Sequence, residues 1–461
     1  MMVTFVGPAA RPRTLPLHFM PVSALLALVL AVALSATAAG ALAAPAPAGK
    51  SLELGFEERI RTENWDNSTD FNERKVDATH QWRFRTRAWA KLSAGANTEF
   101  VLGLANESRK KTTPHVALTM DETVIENLYL EHRFADGASV RAGRQNLTRG
   151  DGFILMDGSP MDGSRVAYFN ALDLGWTSGK SRLDLLAISD PHRDEYLPRI
   201  HDRAKPLLDW NENALGLYWT DAVGAKTTIE AYYFFKAETG DTRGLTAGQG
   251  DRVFHALGGR GTRDFAGGWA VKAELAGQAG EQRPGCDLHA WGAQTSVKKS
   301  FAHATKPSLL LGWTGLSGDD PATKAIEGWD PLFARYPKWS ELYIYTLVSE
   351  RGVAYWTDLK MWQAEARLTP VKPLDLRATY YRMGAFHRFP GKSVAGKPPI
   401  YANGTCRGDL YEARADYKLN DDWRGHVVGE YLAPGGFYAG TDYGWFFRAE
   451  VSCNFKRSFA R

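Results

Sequence analysis

Apolar and polar residues alternate singly along most of the chain. Over 81–90, Gln81, Arg83, Arg85 and Arg87 fall on one side of the alternation, and Trp82, Phe84, Thr86, Ala88 and Ala90 fall on the other. Helical spacing would spread these arginines around an axis, whereas a strand gathers them into one stripe. The C-terminal stretch behaves alike: Phe447, Ala449, Val451, Cys453 and Phe455 oppose Arg448, Glu450, Ser452 and Asn454. So does 410–419, where Tyr411, Ala413, Ala415, Tyr417 and Leu419 oppose Glu412, Arg414, Asp416 and Lys418. The pattern predicts about eighteen strands, near 51–64, 77–93, 96–106, 122–135, 138–145, 165–177, 180–190, 211–221, 225–238, 250–263, 267–280, 287–299, 304–316, 356–369, 373–387, 408–420, 422–434 and 441–455. A further short strand near 339–348 belongs to a long connection.

The connections separate the candidate all-β architectures. Short joins such as Ala94-Gly95, Asp136-Gly137, Ser178-Gly179 and Asn420-Asp421 suit tight hairpins. They alternate with long joins at 146–164, 191–210, 317–355 and 388–407. A soluble sandwich has no reason to put every long loop at one end. A transmembrane antiparallel β-barrel does, because its periplasmic turns are short and its external loops long, and its strand count is even. Closure then gives every backbone group a partner inside lipid. Trp82, Trp89, Trp176, Trp219, Trp269, Trp362, Trp423 and Trp445 lie in or near strand ends, where interface girdles form.

The first residues read differently. Arg11 and Arg13 precede an apolar run from Val22 to Leu34 and a small-residue end at Ala41-Leu42-Ala43-Ala44. This is the layout of a secretory signal peptide over 1–43, with a barrel over 44–461. A membrane anchor is the alternative, and the small residues favour cleavage. Without Arg11 and Arg13 the formal charge falls from +4 to +2. That is too little basic excess for a nucleic-acid binder. No later run has eighteen consecutive apolar residues, so no helical span is expected.

By strand parity, the lumen carries Arg83, Arg85, Arg87, Arg141, Arg165, Arg367, Arg377, Arg414 and Arg448, accompanied by Glu365, Asp375, Glu412, Asp416 and Glu450. Cross-strand ion pairing accounts for most of these. The 83–87 stripe is the exception, since it has no acid on its own face. Arginine's planar fork suits carboxylate solutes. Arg144 has outward parity and is expected to hold the 146–164 loop, whose acids and glycines between Gly150 and Gly158 favour an inward fold. Asp319, Asp320 and Asp330 have calcium-compatible oxygens but lack the spacing of a calcium loop, so a solvated tip is expected. Cys286 and Cys406 fall in predicted external loops and form a candidate disulfide pair, whereas Cys453 faces lipid. No cofactor or metal motif is evident. Nor are the G-x-S-x-G and H-E-x-x-H signatures of hydrolases.

Several stretches resemble the alginate-export family of outer-membrane porins. They are Arg141-Ala142-Gly143-Arg144-Gln145 with Gly150-Asp151-Gly152 and Asp162-Gly163-Ser164-Arg165; Gly315-Leu316-Ser317-Gly318-Asp319-Asp320 with Trp329-Asp330-Pro331-Leu332-Phe333; and Glu430-Tyr431-Leu432-Ala433-Pro434-Gly435-Gly436-Phe437-Tyr438. The resemblance implies an 18-stranded barrel in the bacterial outer membrane whose narrow, positively charged lumen passes an anionic polysaccharide such as alginate. Its expected partners are that polymer, outer-membrane lipid and periplasmic export components. The alternatives are a general porin for small anionic or sugar solutes and, further off, an outer-membrane hydrolase on a barrel.

Overall fold

The computed structural model describes residues 49–157, 169–198, 200, 210–240, 250–282, 285–336, 338–347, 350, 355–389 and 400–460. The expected signal segment 1–43 and Arg165 lie outside the described residues. Eighteen strands form: β1 (Ser51–Asp66), β2 (Thr79–Ala94), β3 (Thr98–Thr113), β4 (Thr119–Arg133), β5 (Ala138–Gln145), β6 (Phe169–Ser178), β7 (Ser181–Asp190), β8 (Trp210–Gly224), β9 (Thr227–Gly240), β10 (Arg252–Phe265), β11 (Trp269–Gln282), β12 (Cys286–Ser300), β13 (Ser308–Leu316), β14 (Leu359–Val371), β15 (Leu374–Gly384), β16 (Cys406–Lys418), β17 (Trp423–Pro434) and β18 (Gly444–Ala460). Each pairs antiparallel with its sequence neighbours, and β1 closes the sheet on β18 from Ser51↔Ala460 to Asp66↔Trp445. The result is a closed 18-stranded barrel with no free edge.

Every expected strand is present, and the two largest displacements are at the ends of β3 and β18. β3 continues to Thr113 instead of 106, and β18 runs through Ala460 instead of ending at Phe455. The alternation fades at Arg109-Lys110-Lys111 and again at Lys456-Arg457, yet neighbouring strands still supply hydrogen-bond partners there. Backbone pairing thus outlasts the side-chain pattern that reports it. Phe459 pairs with Leu52 in the closing seam, one residue before the last pair, Ser51↔Ala460.

The exterior carries the apolar half of the pattern. Leu309 and Leu311 on β13 are 53% and 67% exposed, while Ser308 and Thr314 on the other face are buried. Trp176, Trp269 and Trp423 lie toward the end of the short turns; Trp362 and Trp445 lie toward the end of the long connections. Two aromatic girdles around an apolar belt on a closed barrel define a protein of the outer membrane.

Two segments turn inward from the long-loop end and narrow the lumen. In the first, after β5, Leu147, Phe153, Ile154 and Leu155 are buried, so the expected inward fold of this connection holds over its described part, 146–157. The second follows β13, and its described parts, 317–336, 338–347, 350 and 355–358, carry Trp329, Leu332 and Phe333 into the same core. The two meet where Leu155 bridges Phe333 and Phe153 stacks on Trp329 at 5.2 Å. Tyr218, Phe234 and Phe254 from the wall complete this apolar plug.

The short strand expected near 339–348 is instead a helical turn, α1 (Tyr343–Leu347). Ser340 caps it, its Oγ accepting from Tyr343 N at 2.8 Å. Four of its five side chains are buried, a pattern that a strand with one wet face cannot satisfy.

Three further expectations change. Cys286, Cys406 and Cys453 are all free. Cys286 opens β12 and Cys406 opens β16; four inter-strand steps of about 4.8 Å separate them, well beyond disulfide reach. Asp330 is no solvated tip but a buried carboxylate paired with Arg252 at 2.8 Å. Asp319 accepts from Glu327 N and Gly328 N, folding its own turn, and no metal-holding cluster occurs among the described residues. Finally, among the described residues Arg144 holds the connection after β7, whereas part of the expected 146–164 loop lies outside the described residues. Its guanidinium grips Asp194, in the connection after β7, at 2.7 and 2.8 Å, and also bonds Asn170 on β6. Gly143 makes this turn of the chain practicable: its φ is 122°, and a Cβ there would meet Leu128 O at 2.2 Å.

Candidate functional site in the lumen

The lumen contains two charged regions with different degrees of access. The first lies on β18 and β1–β4. Arg83 donates to Glu107 at 2.8 Å and to Glu63 at 3.2 Å; Arg85 donates to Glu57 at 2.7 Å; Arg87 reaches Glu126 at 2.9 Å. Arg448 joins Glu63 at 2.7 Å and grips Glu341 of the inward segment at 2.6 and 2.9 Å. The stripe that has no acid on its own strand therefore takes its acids from β1, β3 and β4. Glu63 is the hub, fully buried and contacted by Gln81, Arg61, Arg83 and Arg448. Arg83, Arg85 and Arg448 are all no more than 5% exposed, so they bind strands together more than they face the lumen space.

The second region is open. A cavity of about 250 Å³ sits between the wall strands β10–β17 and the inner segments, with Arg260, Lys272, Lys338, Arg377 and Arg414 among its lining cations. Acids line it too, including Asp151, Glu274, Glu365 and Glu412. Most cations here are already engaged. Arg260 and Lys272 converge on Asp151 at 2.8 and 3.0 Å. Arg377 binds Glu412 at 2.6 Å, and Arg414 binds Asp416 at 2.7 Å. Against the cost of burial, Arg260 and Lys272 hold the Asp151 carboxyl below its usual range.

Lys338 differs. Its ammonium touches the Asp151 and Gly152 carbonyls at 3.3 and 3.5 Å and lies over the Phe153 and Trp339 rings at 5.5 and 5.3 Å. Among the described residues no carboxylate is within ion-pair distance of it. Burial pushes its pKa down to about 8, with Arg260 and Lys272 adding repulsion against the pull of Glu274 and Asp151. A cation held by neutral groups and opposed by no carboxylate is available to an anion that enters.

The inner segment that carries Lys338 is fixed at several points on the wall. Asp330 takes Arg252, the Tyr355 hydroxyl and Leu332 N, while the Gln278 side chain bonds its backbone on both sides. Glu430 on β17 accepts from Glu341 N at 2.8 Å, from Leu342 N at 3.1 Å and from the Ser340 hydroxyl. Arg407 on β16 clasps Glu350 at 2.7 and 2.8 Å and bonds Tyr343 Oη.

Of the eight described arginines expected from parity, Arg377 and Arg414 line the cavity. Arg141 pairs with Glu131 at 2.7 Å nearer the short-turn end. Arg367 lies beside Glu365 at 3.5 Å and is 37% exposed at its side chain. Strand parity had no access to Lys338, which lies outside any strand. Its signal in the sequence was a cation between aromatics, Tyr336-Pro337-Lys338-Trp339, within the longest connection.

No family model matches the chain, and no curated protein matches it. Solved structures do. The Pseudomonas aeruginosa OccK2 (OpdF) structure aligns at a TM-score of 0.53 with 11% identity, over 88% of this chain and 98% of that one. The outer membrane protein OprD of the same organism aligns at 0.53 with 14% identity, over 89% and 96%. OccK2 in complex with glucuronate aligns at 0.51 with 12% identity, over 88% and 98%. The likeness is one of fold: an 18-stranded barrel of the outer-membrane porin type.

Proposed function

We propose that this barrel is a substrate-selective outer-membrane channel for small anionic solutes, carboxylated sugars foremost. The observation that carries the reading is Lys338, an ammonium with no carboxylate within ion-pair distance among the described residues, set in a confined lumen cavity that Arg377 and Arg414 also line. A single carboxylate can dock on it, while neighbouring acids keep the residence short, as conduction requires. Glucuronate bound to the structurally similar OccK2 is consistent with that chemistry. Alginate-like polyuronates share the carboxylated sugar unit, and the resemblance in the sequence pointed to them. Two inward segments packed on each other favour a monomeric solute over a polymer. On this reading the barrel performs no chemical step.

Liposome swelling tests the proposal. Proteoliposomes should swell faster in glucuronate than in glucose of equal osmolarity, and Lys338→Gln should remove most of that difference. Equal rates for both solutes would refute the anion reading. Uptake of an alginate oligomer at a rate close to that of glucuronate would restore the polymer reading.

A further inference from the structure

The outer wall of the barrel is not evenly covered by large apolar side chains. Following the hydrogen-bond register from the short-turn rim, one row passes through Trp269, Lys299, Leu309, Ala366, Ala378, Ala413 and Gly429. Its last four members are small and face directly across four successive strands, β14–β17. The row above it reads Ala364, Tyr380, Tyr411, Tyr431, Trp445, so four aromatic rings overhang the small residues. Tyr380 and Tyr411 pack at 5.2 Å, which makes the overhang continuous there. Between ridge and floor lies an apolar groove of about 1020 Å³ on the lipid-facing side, with Leu309 and Leu311 at its lower end.

Barrel packing does not require this floor. A Cβ added to Gly429 would meet no atom within 4 Å, so the position has room for a larger side chain. A row of small residues beneath aromatics exposes both to the bilayer as a trough, and a void there forfeits dispersion contacts unless something fills it.

The groove has a polar end. Lys299, one residue before the end of β12, lies over the Trp269 and Phe301 rings at 4.9 and 5.7 Å. One donor of its ammonium goes to Gly267 O at 2.6 Å, leaving two for another acceptor. Trp269 and Phe301 border short turns, so this end lies at the periplasmic interface, where phosphate headgroups sit. From Lys299 to Gly429 the row crosses five inter-strand steps, about 24 Å at the usual spacing. A cation at the headgroup level followed by a long apolar trough is complementary to one amphiphile with an anionic head.

We propose that this groove is a binding site for an anionic glycerophospholipid of the periplasmic leaflet, its phosphate on Lys299 and an acyl chain along Ala366, Ala378, Ala413 and Gly429. The site is separate from the solute path and faces the opposite side of the wall.

Native mass spectrometry of the full barrel with added phosphatidylglycerol tests this. The wild-type chain should retain one lipid. A variant combining Ala378→Leu, Ala413→Leu and Gly429→Leu, all compatible with a lipid-facing wall, should retain it at least tenfold less. Lys299→Gln should reduce the preference for phosphatidylglycerol over phosphatidylcholine several-fold. If filling the groove fails to fold, a photoreactive phosphatidylglycerol on the wild-type barrel decides: label should concentrate on the outward residues of β14–β17 over those of β7–β9. Unchanged retention in the variants, uniform labelling, or a dimer lost on filling the groove would overturn the proposal, the last by showing that a second copy occupies it.

Discussion

Asp330→Asn separates the inward segment from the barrel that holds it. Asp330 is buried, and its carboxylate meets Arg252 at 2.8 Å, Leu332 N at 2.7 Å and the Tyr355 hydroxyl. The amide keeps the shape and an acceptor for Leu332 N but removes the charge facing Arg252. Arg252 retains Glu238. Loss of one partner from a buried ion pair costs about 3 kcal/mol at the lower end of its range. This cost falls on docking of the segment, because none of the strand ladder runs through Asp330. At about 1.4 kcal/mol per factor of ten, docking should weaken roughly a hundredfold. Single-channel recording reads this directly. The wild-type barrel should hold one low conductance, and Asp330→Asn should visit larger-conductance states far more often. Heat-modifiable migration on gels should remain, as the barrel itself is intact. An unchanged conductance record from a folded variant would refute the idea that this carboxylate fixes the constriction.

Other perturbations follow from the same geometry. Glu63→Ala removes the carboxylate that Arg61, Arg83 and Arg448 share in a buried site, while Arg83 keeps Glu107 and Arg448 keeps Glu341, and should destabilise the barrel by about 3 kcal/mol in urea unfolding from detergent; a loss below 1 kcal/mol would show that water solvates the cluster. Lys338 is charged below a pKa of about 8 and neutral above it, so anion preference should fall as pH rises through 8 and stay flat between 5 and 7. A reversal potential unchanged from pH 7 to 10 would deny Lys338 that role. Gly143→Ala forces a Cβ onto Leu128 O and should loosen the Arg144–Asp194 clasp, seen as earlier proteolysis of the connection after β7.

The barrel was legible because lipid and a wet lumen impose opposite demands on alternate residues, and because long and short connections alternate. Ion-pair partners were less legible. The acids serving Arg83, Arg85 and Arg87 sit at Glu57, Glu63, Glu107 and Glu126, on other strands, and only the register unites them. Lys338 escaped because no period marks a segment that folds inside. Its position depends on Glu430, Arg407 and Arg252, all distant in sequence from it. The Cys286–Cys406 pairing failed for the converse reason, since sharing one end of a barrel does not imply adjacency around it.

The most direct measurement is the reversal potential of single channels in a tenfold potassium chloride gradient at pH 7, with glucuronate then added on the external side. An anion-selective potential, with brief current interruptions by glucuronate that Lys338→Gln abolishes, is the expected result. A cation-selective potential, or interruptions that persist unchanged in Lys338→Gln, would contradict a lumen selective for small anions.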